Sequence, residues 1–378
     1  MSKLVPLLLA ALVALGVGAS SAAGARGMLV GLLDEAALYD DPGTTFKQLS
    51  SARAKVLRVN LYWGGRVGVA RKKPVRPRNP ADPAYDWDLY DRTVHYAAAH
   101  KVRVLFSIFG TPGWANRGKG LNRAPARSRD LRDFAYAAAR RYSGTYLGED
   151  GRRLPAVKLW LAWNEPNYPI GLYPQYRRVG GRWVMQSAID YARICSAVYA
   201  GVHGTLLRGE KVGCGVTGPR GNNTASAGRQ AKVSPLAFMR ALKKAGLRKF
   251  DAYAHHPYYG HRTETPTTKP ASTAVTLANI DVLVKELTAL WGRKRLWITE
   301  YGYQTNPPDR AFGVSYARQA TYLRKAFALA RKHPRIDMML WFLLRDEPTL
   351  AGWQSGLLTR KGKRKPSFYA FRAVANGR

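Results

Sequence analysis

Eight short runs rich in β-branched, aromatic and other apolar residues recur along the chain, and a helical pattern follows each one. The runs cover 28–33, 56–62, 102–109, 157–163, 211–217, 250–256, 296–301 and 336–344. Most are continuously apolar rather than alternating, as expected of strands covered on both faces. Between them, Trp87, Tyr90, Val94 and Ala97 recur at helical spacing, and 128–146, 186–206, 273–291 and 314–333 are long, alanine-rich and amphipathic. Shorter helical patterns fall near 44–54 and 367–375. Strand then helix, eight times, with no linker-like break after residue 27, predicts an α/β fold: one (β/α)8 TIM barrel, a single domain over 26–378. A doubly wound open sheet usually announces a glycine-rich phosphate turn after its first strand, and Gly31-Leu32-Leu33-Asp34-Glu35 is not one.

Residues 1–25 stand apart. Lys3 precedes an apolar run over 4–17, and the small residues Ala19-Ser20-Ser21-Ala22-Ala23-Gly24-Ala25 follow. This is the three-part pattern of a cleavable secretory signal peptide, and the apolar run falls short of the roughly 20 residues that span a membrane. A secreted or cell-wall-associated protein is expected, with no membrane span in the mature chain. The two cysteines, Cys195 and Cys214, are too few for a disulfide scaffold or a metal quartet. They are readable as a disulfide across a short loop or as two buried thiols packing as small hydrophobes.

In a (β/α)8 barrel, chemistry gathers where strands end and the following loops begin. The second run begins Val56-Leu57-Arg58-Val59-Asn60; the fourth ends Trp163-Asn164-Glu165-Pro166. The sixth ends His255-His256-Pro257-Tyr258-Tyr259, the seventh Thr299-Glu300-Tyr301-Gly302, and the eighth carries Trp341-Phe342. Two glutamates therefore face one another across one mouth. These motifs, with Thr111-Pro112-Gly113-Trp114-Ala115 after the third run and the tail from Gly356 to Phe371, resemble the retaining glycoside hydrolases of clan A, most of all families 39 and 5. The resemblance covers nearly the whole mature chain.

It implies Glu165 as general acid/base, Glu300 as nucleophile and Asn164 as a partner of a substrate hydroxyl. It also implies that Arg58 reaches Glu300 and favours its ionised form, with Tyr258 donating to the same carboxylate. His256 joins them as a substrate-binding candidate. Trp341 and Trp114 are expected to stack on sugar faces, with Tyr168, Tyr173 and Trp183 as weaker candidates. A polysaccharide or oligosaccharide is the expected substrate, cleaved by double displacement at β-linked bonds. No cofactor and no metal are expected. A cluster of His255, His256 and His261 is disfavoured because adjacent strand residues point to opposite faces. A monomer is expected.

The formal net charge is +37, from 61 basic and 24 acidic residues. Loops on the expected catalytic face hold 25 basic and 6 acidic residues in 125, whereas those at the opposite end hold 16 and 3 in only 35. A field built to steer an anionic substrate belongs at the cleft, so the excess points to an anionic surface such as a cell wall. Nucleic acid is disfavoured, since no recognition motif is present. The rival to an enzyme is a catalytically silent glycan-binding or polyanion-binding wall protein on the same barrel.

Overall fold

The computed structural model describes residues 27–377, so the expected signal peptide over 1–25 lies outside the described residues. The strands are β1 (Leu29–Leu33), β2 (Val56–Tyr62), β3 (Arg103–Phe109), β4 (Leu159–Ala162), β5 (Arg177–Val179), β6 (Arg182–Val184), β7 (Lys211–Thr217), β8 (Ala252–His255), β9 (Arg295–Ile298) and β10 (Ile336–Phe342). Eight of them close a barrel in the order β1-β10-β9-β8-β7-β4-β3-β2, every pair parallel. The helices are α1 (Ala36–Asp40), α2 (Pro42–Ser51), α3 (Asp88–Ala99), α4 (Gly113–Asn116), α5 (Ser128–Arg141), α6 (Gln186–His203), α7 (Pro235–Lys244), α8 (Ile280–Trp291), α9 (Tyr316–Lys332) and α10 (Pro366–Ala375). This is the (β/α)8 TIM barrel that the alternation of runs predicts.

Alternation along each strand sorts side chains into two layers. Val56, Leu105, Leu159, Leu161, Ala252, Ala254, Trp297, Met338 and Leu340 fill the barrel interior. Their neighbours, among them Leu57, Val59, Phe106, Trp160, Tyr253, Ile298, Met339 and Trp341, form the layer between barrel and helices. That outer layer tightens where α5 meets α6: a Cβ on Gly201 would lie 2.4 Å from the Arg132 carbonyl oxygen, so only glycine lets the two backbones approach this closely.

The antiparallel pair β5–β6 lies outside the barrel. The eight-run reading missed it, although Gly180-Gly181 between its strands, both with positive φ, is a hairpin turn signal.

Cys195 on α6 and Cys214 on β7 are both fully buried and joined by a disulfide, with Cα atoms 6.0 Å apart. The bond ties a helix to the strand that follows it, closing a loop with a sequence separation of 19. The loop-entropy relation puts its contribution at about 3 kcal/mol. Equilibrium urea unfolding with and without reductant should show a loss of that size; superimposable curves would contradict it.

Candidate active site

The alternation that fills the barrel also aims the site. On β2, Val56 points inward, so Arg58, Asn60 and Tyr62 do too. On β10, Met338 and Leu340 point inward, so Phe342 does. At the C-terminal mouth Asn60, Tyr62 and Phe342 meet the ends of β4, β8 and β9 in a cavity of about 720 Å³, with Arg58 beneath it. Glu165 and Glu300 line it from opposite sides, with 18% and 12% of their side chains exposed.

Glu165 is turned onto the mouth by a local break in the strand. Trp163 and Glu165 both take positive φ, 73° and 39°, a costly conformation for residues with a Cβ. Surrounding bonds hold it: the Trp163 indole donates to the Gly171 carbonyl at 2.7 Å, and the Glu165 N–H donates to the Val216 carbonyl at 2.9 Å. A Cβ on Gly171 would sit 2.3 Å from the carbonyl oxygens of both Asn164 and Glu165. The loop after β4 can therefore close over the site only with glycine there.

Arg58 is completely buried beneath the two glutamates. Its Nη1 donates to Glu300 Oε1 at 2.8 Å and to His256 Nε2 at 3.1 Å, and its Nη2 donates to Asn164 Oδ1 at 2.7 Å. Tyr258 donates its hydroxyl to Glu300 Oε2 at 3.1 Å. Because Arg58 can only donate, His256 Nε2 accepts, and the ring proton of a neutral His256 sits on Nδ1. Burial keeps this imidazole neutral, pushing its pKa down to about 3 against the pull of Glu300, with Arg58 adding to the drop. The Nδ1–H then points at Glu165 Oε1, 3.0 Å away, and leaves Oε2 to carry a proton. Burial pushes the Glu165 carboxyl up to about 7, outweighing the attraction of Arg58 and Lys232. One of the two carboxyls thus lies against a guanidinium and a phenol, while the other is raised by desolvation.

One oxygen of each carboxyl and a ring nitrogen of His256 lie within 4.8 Å of one another, the one such group of possible metal ligands among the described residues. Both ring nitrogens of His256 are already engaged, and the Arg58 cation lies against Glu300. The three-histidine cluster is not formed. His255 turns away to Thr217 Oγ1 and the Val275 carbonyl, and His261 is exposed beside Thr263.

Other expectations need correction. Trp341 does not reach the cavity: it is fully buried in the outer layer, its indole donating to the Ser355 carbonyl at 2.9 Å. Phe342, one residue on and of opposite parity, lines the wall instead, beside Trp353. Trp353 is 46% exposed and lies nearly parallel to Tyr258, with ring centres 6.2 Å apart, so it offers the platform expected of Trp341. Trp114 is also outside the cavity, packed edge-on against Trp63 and donating to the Ala70 carbonyl. Arg58 and His256 lie under the carboxyls rather than on the cavity surface, so they position those groups instead of touching a ligand directly. Of the weaker aromatic candidates, Tyr168 lines the cavity, whereas Tyr173 and Trp183 carry arginines against their outer faces away from it. The sequence reading missed Glu35, Asn60, Phe342 and Trp353, all cavity-lining. Strand parity was the signal for three of them.

No family model matches the sequence, and no curated protein does either. Solved structures do. A family 39 glycoside hydrolase from the gut symbiont Bacteroides cellulosilyticus WH2 is 20% identical with a TM-score of 0.62, matched over 92% of this chain and 63% of that one. A glucosidase from Croceicoccus marinus is 14% identical with a TM-score of 0.65, over 93% and 68%. The GH39 enzyme from Xanthomonas axonopodis pv. citri is 16% identical with a TM-score of 0.58, over 94% and 68%. The chain thus spans less than two thirds of the length of the first. What is shared at these identities is the (β/α)8 barrel.

Proposed function

We propose that the protein is a secreted, retaining glycoside hydrolase that cleaves β-linked bonds in a polysaccharide or oligosaccharide. The observation that carries this reading is the pair of unlike carboxyls at the ends of β4 and β9, with oxygens within 4.8 Å of each other. One oxygen pair this close fits the carboxyl separation of about 5–5.5 Å in retaining enzymes better than the roughly 6.5–9.5 Å that admits a water in inverting ones. The likeness in fold to a family 39 glycoside hydrolase and a glucosidase adds support.

In the first step Glu300 attacks the anomeric carbon while Glu165 passes its Oε2 proton to the departing glycosidic oxygen. That leaves a glycosyl ester on Glu300 and an ionised Glu165. Water then enters, Glu165 takes its proton, and the oxygen displaces Glu300 with a second inversion. Arg58 and Tyr258 hold Glu300 as the leaving carboxylate, and Asn164, its carbonyl fixed by Arg58, presents Nδ2 to a sugar hydroxyl. A panel of 4-nitrophenyl β-glycosides and β-linked oligosaccharides, with the first-formed anomer followed by NMR, tests the reading. β-Anomer released first supports it. Inverted product from the unmutated enzyme, or no turnover of any member, rejects it.

The charge supports a second element: association with an anionic wall polymer through the basic end of the barrel opposite the cleft. Surface attraction of this kind is screened by salt, whereas a neutral substrate in the cavity is not steered by it. Raising sodium chloride from about 0.05 to 0.5 M should release the protein from polyanionic resin or wall fragments. The rate on a neutral aryl glycoside should hardly change, and a steep fall in that rate would contradict this division of labour.

A further inference from the structure

One rim of the cavity carries polar groups that the double displacement does not use. Leu29, Gly31 and Leu33 of β1 share inward parity, and Glu35 continues it past the strand end into the cavity wall. Its Oε1 accepts the Asn60 N–H at 2.5 Å, and the Tyr62 hydroxyl lies 3.4 Å from Oε2. Burial pushes this carboxyl up to about 7, despite the Asn60 N–H and Arg58, so near neutrality it can both donate and accept. Asn60 and Ser355 line the same rim, with Asn60 Oδ1 and Ser355 Oγ turned into the protein away from the cavity.

The location says which part of a ligand this would be. Glu35 and Asn60 come from the ends of β1 and β2 and Ser355 from the segment after β10, and these strands form a contiguous arc adjoining the Glu300 strand β9. Glu165, on β4, lies beyond β3 on the other side. An acid must stand beside the leaving group, so the sugar that stays on the nucleophile occupies the Glu35 arc. The cavity lining is also anionic in composition. It includes Asp34, Glu35, Glu165, Glu300 and Glu347 but only one basic residue, Arg220, whose nearest carboxylate is Glu264 at 3.7 Å. Glu35 and Glu165 have their pKa raised to about 7 and Glu300 is paired with Arg58, so a uronic carboxylate buried here would meet Arg220 as the one lining cation.

We propose that Glu35 binds a hydroxyl of a neutral glycone and sets the enzyme's preference for neutral over uronic sugars. The inference rests on the hydrolase reading and adds the substrate class and the residue that selects it.

The test uses the full-length enzyme, Glu35→Ala and Glu35→Gln, with 4-nitrophenyl β-glycosides of neutral sugars, their monodeoxy analogues and a uronide. Neutral glycosides should exceed the uronide in kcat/KM by about 10²-fold or more, and Glu35→Ala should cost neutral substrates a similar factor, with Glu35→Gln costing less. One deoxy analogue should be slow on the wild type yet suffer little further loss in Glu35→Ala, which a merely structural role cannot produce. A uronide preferred over neutral sugars, or deoxy penalties identical in wild type and Glu35→Ala, overturns the proposal. No turnover of any glycoside by the wild type overturns the hydrolase reading itself, and this inference falls with it.

Discussion

Glu300→Ala is expected to abolish turnover of every glycoside, by a factor on the order of 10⁶, the scale seen when a hydrolase loses its nucleophile. The cause is specific. Arg58 and Tyr258 are aimed at the two oxygens of that carboxylate, 2.8 and 3.1 Å away, and without it no covalent sugar ester forms. Azide entering the vacated space should restore turnover and yield a glycosyl azide of inverted configuration. Glu165→Ala should behave differently. General acid catalysis contributes about 10²–10⁴-fold, and the loss should fall on substrates with poor leaving groups while sparing activated aryl glycosides. Azide should then give the retained glycosyl azide, since Glu300 survives. The pH profile adds a third signature. Glu165 is protonated below its pKa of about 7 and ionised above it, so kcat/KM on poor leaving groups should fall as pH rises through that value. In Glu165→Ala that limb should disappear. If both variants gave azides of the same configuration, the two glutamates would not hold the roles assigned to them.

The barrel and the two carboxyls were legible for the same reason: a buried strand reads as an apolar run, and a glutamate at its end breaks the run visibly. What failed was parity. Trp341 is the sugar platform the motif suggests, but the inward set Met338, Leu340 and Phe342 puts Trp341 among the helices and its neighbour Phe342 in the mouth. The same parity on β1 points Glu35 into the mouth, which the absence of a phosphate turn over Gly31 to Glu35 does not reveal. Trp353 carried no signal of its own. It lies in the irregular segment after β10, whose course is set by contacts with Tyr258, Phe342 and Glu347 rather than by any local period. Trp114 sits in a segment that resembles one in family 39, but its indole is taken up by Trp63 and a backbone carbonyl. Tertiary packing decided each case that sequence spacing left open.

That irregular segment is where a second large effect is expected. Lys365, just before α10, is buried with its ammonium donating to Asp346 Oδ1 at 2.7 Å and Thr305 Oγ1 at 2.9 Å. Asp346 also accepts the Gly356 N–H at 2.9 Å. The pair thereby pins the turn that carries Glu347, Trp353 and Ser355 to the loop after β9. Burial pulls the Lys365 pKa down and pushes that of Asp346 up, while mutual attraction opposes both shifts. Lys365→Ala should therefore destabilise by about 3–5 kcal/mol, because it strands a buried carboxylate rather than merely deleting a contact. The sign of the pH dependence separates these causes. In the variant, Asp346 lacks its cation, so its folded pKa rises further above the unfolded value of about 3.9. Stability held by the protonated form is then lost as pH climbs between those two pKa values. The deficit relative to wild type should be largest near neutrality and shrink on acidification toward about pH 4. Urea unfolding at several pH values measures it; a deficit independent of pH would mean that the lost packing, and not the stranded charge, holds the cavity wall in place.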